Sequence, residues 1–219
     1  MPIPPRLIDP TNRADHFYLV EGDECLYFHD YTPRQGPRHS GGNQFVFNLK
    51  KSVLARGQGH YQYKTQAIVR GAGMLKAAFD QSPWVYDRAT ICPIPPSKVP
   101  GHPEYDDRMT QIVLRACLGT NADARELILQ GNGYEASHRQ ADGARLRPAE
   151  LEAIYTLAEL PPRDVVILVD DVLTTGSHFV AARNVIRARY PDTRVVGFFM
   201  ARRVVPNPFE DEIEIDLVL

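Results

Sequence analysis

Between Tyr31 and Phe79 the chain contains no aspartate or glutamate. The same stretch holds eight cations: Arg34, Arg38, Lys50, Lys51, Arg56, Lys64, Arg70 and Lys76. The whole chain has 25 basic and 27 acidic residues, so everything outside this stretch carries an acidic excess. Two readings fit such a split: a basic face that balances an acidic body, or a surface for an anionic partner. Cysteine is also scarce. Cys25, Cys92 and Cys117 are widely spaced and form no Cys-x-x-Cys pair, which fits reduced thiols and a cytoplasmic protein. Cys25, His29 and His39 match no standard metal-ligand spacing. Apolar runs are too short to span a bilayer, and Met1-Pro2-Ile3-Pro4-Pro5-Arg6 lacks a signal-peptide core, so no membrane partner is expected.

One stretch organises what is present. Val165-Val166-Ile167-Leu168-Val169 is five consecutive aliphatics, four of them β-branched, as in a fully buried parallel strand. It stops at Asp170-Asp171 and passes through Val172-Leu173-Thr174-Thr175-Gly176-Ser177 into a helical pattern at Phe179, Val180, Ala182, Val185 and Ile186. A strand, an acidic pair, a hydroxyl-glycine turn and a helix start describe a ligand site at the carboxyl end of a strand. Free amides at a helix N-terminus suit a phosphate, and Thr174, Thr175 and Ser177 add hydroxyl donors. Two carboxylates beside it suit neutral hydroxyls such as a ribose diol. The plainer alternative is a buried strand whose turn merely caps the helix.

This stretch resembles the phosphoribosyl-binding signature of type I phosphoribosyltransferases. His178 stands where that family usually carries Thr or Ser. Asn48-Leu49-Lys50-Lys51 before a helix and Pro93-Ile94-Pro95 at a strand end make the chain most similar to the competence-protein-F-like branch. The four-cysteine zinc ribbon often found in that branch is absent. The resemblance implies an α/β fold with a mostly parallel sheet flanked by helices. Residues 1–84 would form a hood and residues 85–219 the core.

It also implies a reaction: transfer of a phosphoribosyl group from 5-phosphoribosyl 1-pyrophosphate to a nitrogen acceptor, with magnesium and release of pyrophosphate. Asp170 and Asp171 would be catalytic, holding the ribose hydroxyls with magnesium nearby, carried on the ligand. Val172, Leu173, Thr174, Thr175, Gly176 and Ser177 would hold the 5-phosphate. Pro96, Ser97 and Lys98 would hold pyrophosphate, together with Arg139 from a glycine-bearing loop over 131–147 that matches the family's mobile lid. Pro95 and Pro96 give no N–H, so Ser97 and Lys98 are the amide donors there, and an X-Pro bond is a candidate for cis geometry. The competing class is a non-catalytic sensor of the phosphoribosyl ligand, or a nucleic-acid-associated factor using the basic hood. The slightly acidic total charge disfavours a polyanion. A homo-oligomer is compatible with either.

Elsewhere the patterns predict short strands at 17–20 and 25–28 around the turn Glu21-Gly22-Asp23, and a loop from Tyr31 to Asn43. Alternation of Phe45, Phe47 and Leu49 predicts a strand, and helical period predicts a helix over 63–79, with Gly71 and Gly73 as weak points. Strands follow at 89–94, 127–130 and 194–200. Asp106 or Asp107 would cap a helix with inner stripe Met109, Ile112, Val113, Ala116 and Cys117. Pro148 opens a helix through Leu157, and the tail 212–219 alternates as an edge strand.

Overall fold

The protein is described by a computed structural model that covers residues 3–130 and 146–205. Its strands are β1 (Arg6–Leu7), β2 (Glu24–Tyr31), β3 (Ala89–Pro93), β4 (Asp123–Ala124), β5 (Ile128–Gln130), β6 (Tyr155–Leu157), β7 (Val165–Leu173) and β8 (Arg194–Arg203). The helices are α1 (Gly41–Leu49), α2 (Gln62–Asp80), α3 (Trp84–Arg88), α4 (Arg108–Ala116), α5 (Pro148–Glu152) and α6 (Ser177–Arg189). Six strands form one sheet in the order β1-β2-β8-β7-β3-β4, parallel throughout except for β1. The protein is thus a mixed α/β structure with a mainly parallel sheet flanked by helices.

Side chains of β7 alternate between two cores. Val165, Ile167 and Val169 join α1, α2 and α4 on one face, while Val166 and Leu168 join α6 on the other. Covering both faces is what lets the strand be aliphatic without a break. Each fully buried aliphatic of this kind contributes about 1.5–3 kcal/mol. Helix α2 approaches α4 closely at Gly71, where a Cβ would lie 2.9 Å from Ile112 Cδ1. The glycine expected to weaken this helix instead admits its neighbour. The stripe of α4 is buried as its spacing predicts.

Several expectations are corrected. Phe17 and Tyr18 lie in a turn and Leu19 and Val20 in irregular chain, where a strand is expected. Phe45, Phe47 and Leu49 lie on α1: Ser40 Oγ accepts from the Asn43 amide at 3.0 Å, and Phe45, Val46 and Leu49 then share the buried side. Phe47, half exposed, made the spacing look two-fold. The helix predicted from Pro148 to Leu157 stops at Glu152, because residues 155–157 pair antiparallel with β5 in a separate ribbon. The strand β7 continues through the acidic pair to Leu173. No cis peptide bond occurs among the described residues.

The stretch expected as a hood supplies β1 and β2 to the main sheet, and Phe28, Phe45, Leu49, Leu75 and Phe79 pack in one core with Ile91, Met109 and Val169. A division at residue 84 therefore does not separate two cores. The predicted tail strand 212–219 lies outside the described residues. Among those described, no helix is long and apolar enough to cross a membrane, and all three cysteines are buried thiols.

Candidate functional site

From β3 the chain runs through α4 to β4 on one side; from β7 it runs through α6 to β8 on the other. Helices α4 and α6 cover opposite faces. The winding therefore reverses between the adjacent strands β3 and β7, and a crevice opens outside their carboxyl ends. The Ile94 amide donates to Val169 O at 2.9 Å, which brings the Pro95–Lys98 loop alongside the acidic pair.

The two carboxylates of the pair are in opposite states. Asp171 is 6% exposed. Its Oδ1 lies 3.1 Å from Lys50 Nζ, and its Oδ2 accepts from Arg108 Nε at 3.1 Å and from Arg108 Nη2. Burial raises the pKa of this carboxyl, and the two cations overcome that effect, holding it well below the usual carboxylate range. Asp170 is only partly buried by surface area, and its Oδ1 accepts from the Asp171 amide at 2.7 Å. Desolvation, then the charge of Asp171, push Asp170 up to about 7, with the Asp171 amide, Lys50 and Arg108 opposing. The two environments thus push these neighbouring carboxyls in opposite directions, Asp171 towards the anion and Asp170 towards the protonated acid.

Behind Asp171 the charges close into a ring. Arg108 Nη1 donates to Asp106 Oδ2 at 2.6 Å, and Lys64 Nζ donates to the same oxygen at 2.7 Å. Lys64 also donates to Leu49 O at 2.7 Å and Lys51 O at 2.9 Å, the carbonyls on either side of Lys50. Its side chain is 1% exposed, and burial lowers its pKa against the pull of Asp106. Asp106, expected as a helix cap, accepts from the Arg108 amide at 3.2 Å but chiefly serves this ring. Asp107 occupies the N-cap position without a capping bond, and accepts instead from Gln111 Nε2. No motif in the sequence marks Lys64, Asp106 and Arg108 as site residues. A cation on the apolar stripe of a helix, one turn before Ile68, was the available signal for Lys64.

The turn after β7 presents its two edges differently. Gly176 has φ +85° and opens α6; a Cβ there would meet the Leu19 side chain at 2.9 Å. The glycine thus admits Leu19 as well as the turn itself. Thr174 O accepts from His16 Nδ1 at 2.6 Å, and Thr175 O from the Tyr18 amide at 2.8 Å. A carbonyl only accepts, so His16 carries its proton on Nδ1. Burial lowers the pKa of this histidine and favours its neutral form. Among the described residues, the amides of Thr175, Gly176 and Ser177 donate no hydrogen bond to backbone or side chain. Thr175 Oγ1 is buried without a partner. Carbonyls are consumed on one edge, and donors remain on the other. His178 Nδ1 lies 2.8 Å from Tyr155 OH. Neither a protein-family model nor a curated protein matches the chain.

Ser97 and Lys98 sit at the other rim of the crevice. A cavity of about 300 Å³ opens there, with Pro95, Pro96, Lys98, Tyr105, Glu126 and Gln130 among its lining. Lys98 Nζ is 4.0 Å from Glu104. Val172 and Leu173, expected at the ligand, are buried strand residues in opposite cores, so only their backbone can reach the crevice. Arg139 lies outside the described residues, with the rest of the expected lid from 131 to 145. Arg147, at its end, instead joins the capping of α5. The described residues gather no group of three or more His, Cys, Asp or Glu for a metal ion, and both oxygens of Asp171 are already engaged by cations. Direct ligation of magnesium by Asp171 would have to displace Lys50 or Arg108.

Proposed function

We propose that the chain is a phosphoribosyltransferase-type enzyme with the type I fold. It would bind 5-phosphoribosyl 1-pyrophosphate and transfer the phosphoribosyl group to a nitrogen acceptor. The observation that carries this reading is the donor edge of the turn that follows the acidic pair at the carboxyl end of β7: among the described residues, three amides without acceptors and the unpartnered Thr175 hydroxyl. A phosphate ester fits those donors, and the sugar it carries extends towards the acidic pair.

On this reading, Thr175, Gly176 and Ser177 anchor the 5-phosphate and Asp170 accepts from the ribose hydroxyls. Ser97 and Lys98 hold the leaving diphosphate from the opposite rim. The bond from the anomeric carbon to diphosphate oxygen breaks with its electron pair going to pyrophosphate, and the acceptor nitrogen forms the new bond. The proton lost by that nitrogen passes to Asp170, whose raised pKa suits proton transfer near neutral pH. Catalysis rests on positioning and on charge neutralisation. Magnesium belongs to the ligand in this scheme and supplies charge neutralisation to its diphosphate.

The test is a screen of nucleobases and small amines for pyrophosphate release from 5-phosphoribosyl 1-pyrophosphate, run beside calorimetry of that ligand. Release that requires Asp170 supports the enzyme. Binding without release for any acceptor leaves a ligand sensor, and no binding at all removes the reading.

A further inference from the structure

The ring behind Asp171 contains three cations, Lys50, Lys64 and Arg108, and two carboxylates, Asp106 and Asp171. Within the ring one positive charge is left over; Asp170, which also faces Lys50 and Arg108, is pushed towards its neutral form and offsets it only in part, and the geometry says where the charge emerges. Lys64 spends all three ammonium donors on Asp106 Oδ2, Leu49 O and Lys51 O. Arg108 bridges both carboxylates with its side chain 19% exposed. Among the described residues, Lys50 has a single acceptor, Asp171 Oδ1, and its side chain is 45% exposed. The surplus charge and the spare donors thus come to solvent at Lys50, beside the carboxyl end of β7.

Lys50 is also held in place. It ends α1, and its amide donates to Val46 O at 2.9 Å. The buried ammonium of Lys64 grips the carbonyls immediately before and after it. Lys51, its neighbour, directs its ammonium elsewhere, 4.4 Å over the Phe47 ring. A cation whose backbone is fixed gives up less conformational freedom on meeting an anion than a free surface lysine does.

We infer that Lys50 is an anion-binding residue of the crevice, supplied by the N-terminal segment, and that it contacts a phosphate or diphosphate group through the donors Asp171 leaves unused. The inference rests on the proposed function only in placing the ligand at that crevice. It makes Lys64 and Asp106 positioning residues that act through Lys50 and Arg108.

Binding of inorganic pyrophosphate, measured by calorimetry on the full chain, tests this. Lys50→Met should weaken binding by about tenfold or more, the loss of a charge-assisted hydrogen bond. Lys50→Arg should keep most of the affinity, and Lys51→Met should bind as the wild type does. Wild-type affinity in Lys50→Met overturns the inference, as does an equal loss in Lys51→Met, which would mark a net-charge effect. Absence of any pyrophosphate binding by the wild type overturns it too. The same variants with 5-phosphoribosyl 1-pyrophosphate separate the two claims. Pyrophosphate bound through Lys50 without affinity for the phosphoribosyl ligand removes the transferase reading alone; phosphoribosyl binding that needs Asp170 but not Lys50 removes this inference alone.

Discussion

Lys50 Nζ stands 3.1 Å from Oδ1 of Asp171 and thereby joins the acid-free N-terminal stretch to the acidic pair at the end of β7. The charge asymmetry visible in the sequence is answered at this contact and at Lys64–Asp106. Both are pairs between the basic stretch and the acidic remainder of the chain. The basic stretch is in part a counter-charge for carboxylates it helps to bury.

The two aspartates should respond to substitution with opposite signs. Asp171→Asn leaves Lys50 without its anion and Arg108 with Asp106 alone, and should cost about 2–4 kcal/mol at neutral pH. The stabilisation from Asp171, whose folded pKa is depressed, is present above about pH 4 and is lost as pH falls below it. Asp170 runs the other way. Its folded pKa of about 7 lies above the unfolded value, so its contribution is full below about pH 4 and is lost as pH rises to 7. Asp170→Asn should therefore stabilise the protein at pH 8 by roughly 1–3 kcal/mol and have little effect at pH 4. Urea unfolding of both variants at pH 4, 6 and 8 checks this, and shifts of the same sign at pH 8 would refute the division of roles.

Much of this architecture is readable along the chain, and what is not readable is long-range. The strands β3, β7 and β8 show themselves because burial on both faces leaves runs such as Val165–Val169 and Val195–Met200 almost free of polar residues. The turn at Thr174–Gly176 is legible because a left-handed glycine and a helix start need particular residue types. Helix α1 is not legible because three residues, Phe45, Phe47 and Leu49, fit a period of two, while the cap at Ser40 that decides the matter involves only Asn43. Residues 155–157 are not legible as a strand because β5 claims them, a pairing that no local window contains. The ring has the same character: Lys64 and Asp106 are 42 positions apart, and Arg108 and Asp171 are 63 apart. Nothing in the spacing of either residue announces the other.

Lys64 should be among the least replaceable residues of the N-terminal stretch. Lys64→Met keeps the shape of the stem but strands Leu49 O, Lys51 O and part of the Asp106 carboxylate in a buried setting. Each abandoned acceptor costs about 1–3 kcal/mol, so a loss of at least 2 kcal/mol is expected. Hydrogen exchange should show faster opening of the segment around Lys50 than in the wild type. A variant as stable as the parent, with unchanged exchange there, would mean that the three bonds do not hold that segment.

Thr175 offers a test that distinguishes a ligand group from a structural one. Its hydroxyl is buried without a partner, so the free protein bears the cost of desolvating it. Thr175→Val is close in shape and removes that burden, and should leave stability unchanged or raise it by about 1 kcal/mol. If the hydroxyl awaits a phosphate, the same variant should bind 5-phosphoribosyl 1-pyrophosphate more weakly by about 1.5–3 kcal/mol, the value of a hydrogen bond to a charged group. Gain in melting temperature with loss of affinity is the expected signature. Loss of stability would place the hydroxyl in the fold, and unchanged affinity would take it out of the site.

The last expectation concerns nucleic acid. A polyanion track needs several cations on one surface, each free to neutralise a successive phosphate. Three of the eight cations between Tyr31 and Phe79 are already engaged. Lys64 is buried, Lys76 donates to both oxygens of Asp80, and Arg70 sits 5.7 Å from the centre of the Phe45 ring. Lys51, over Phe47, is partly committed as well. Single-stranded DNA should therefore show no measurable affinity at physiological salt. Any binding at low salt should fall with a log–log slope no steeper than about −3, given about −0.7 for each phosphate contact and at most four contacts. A filter-binding series across salt concentrations measures the slope directly. A value near −4 or steeper would require about six phosphates neutralised at once, more than the uncommitted cations of this stretch can supply, and would mean that the charged segment serves a polyanion after all.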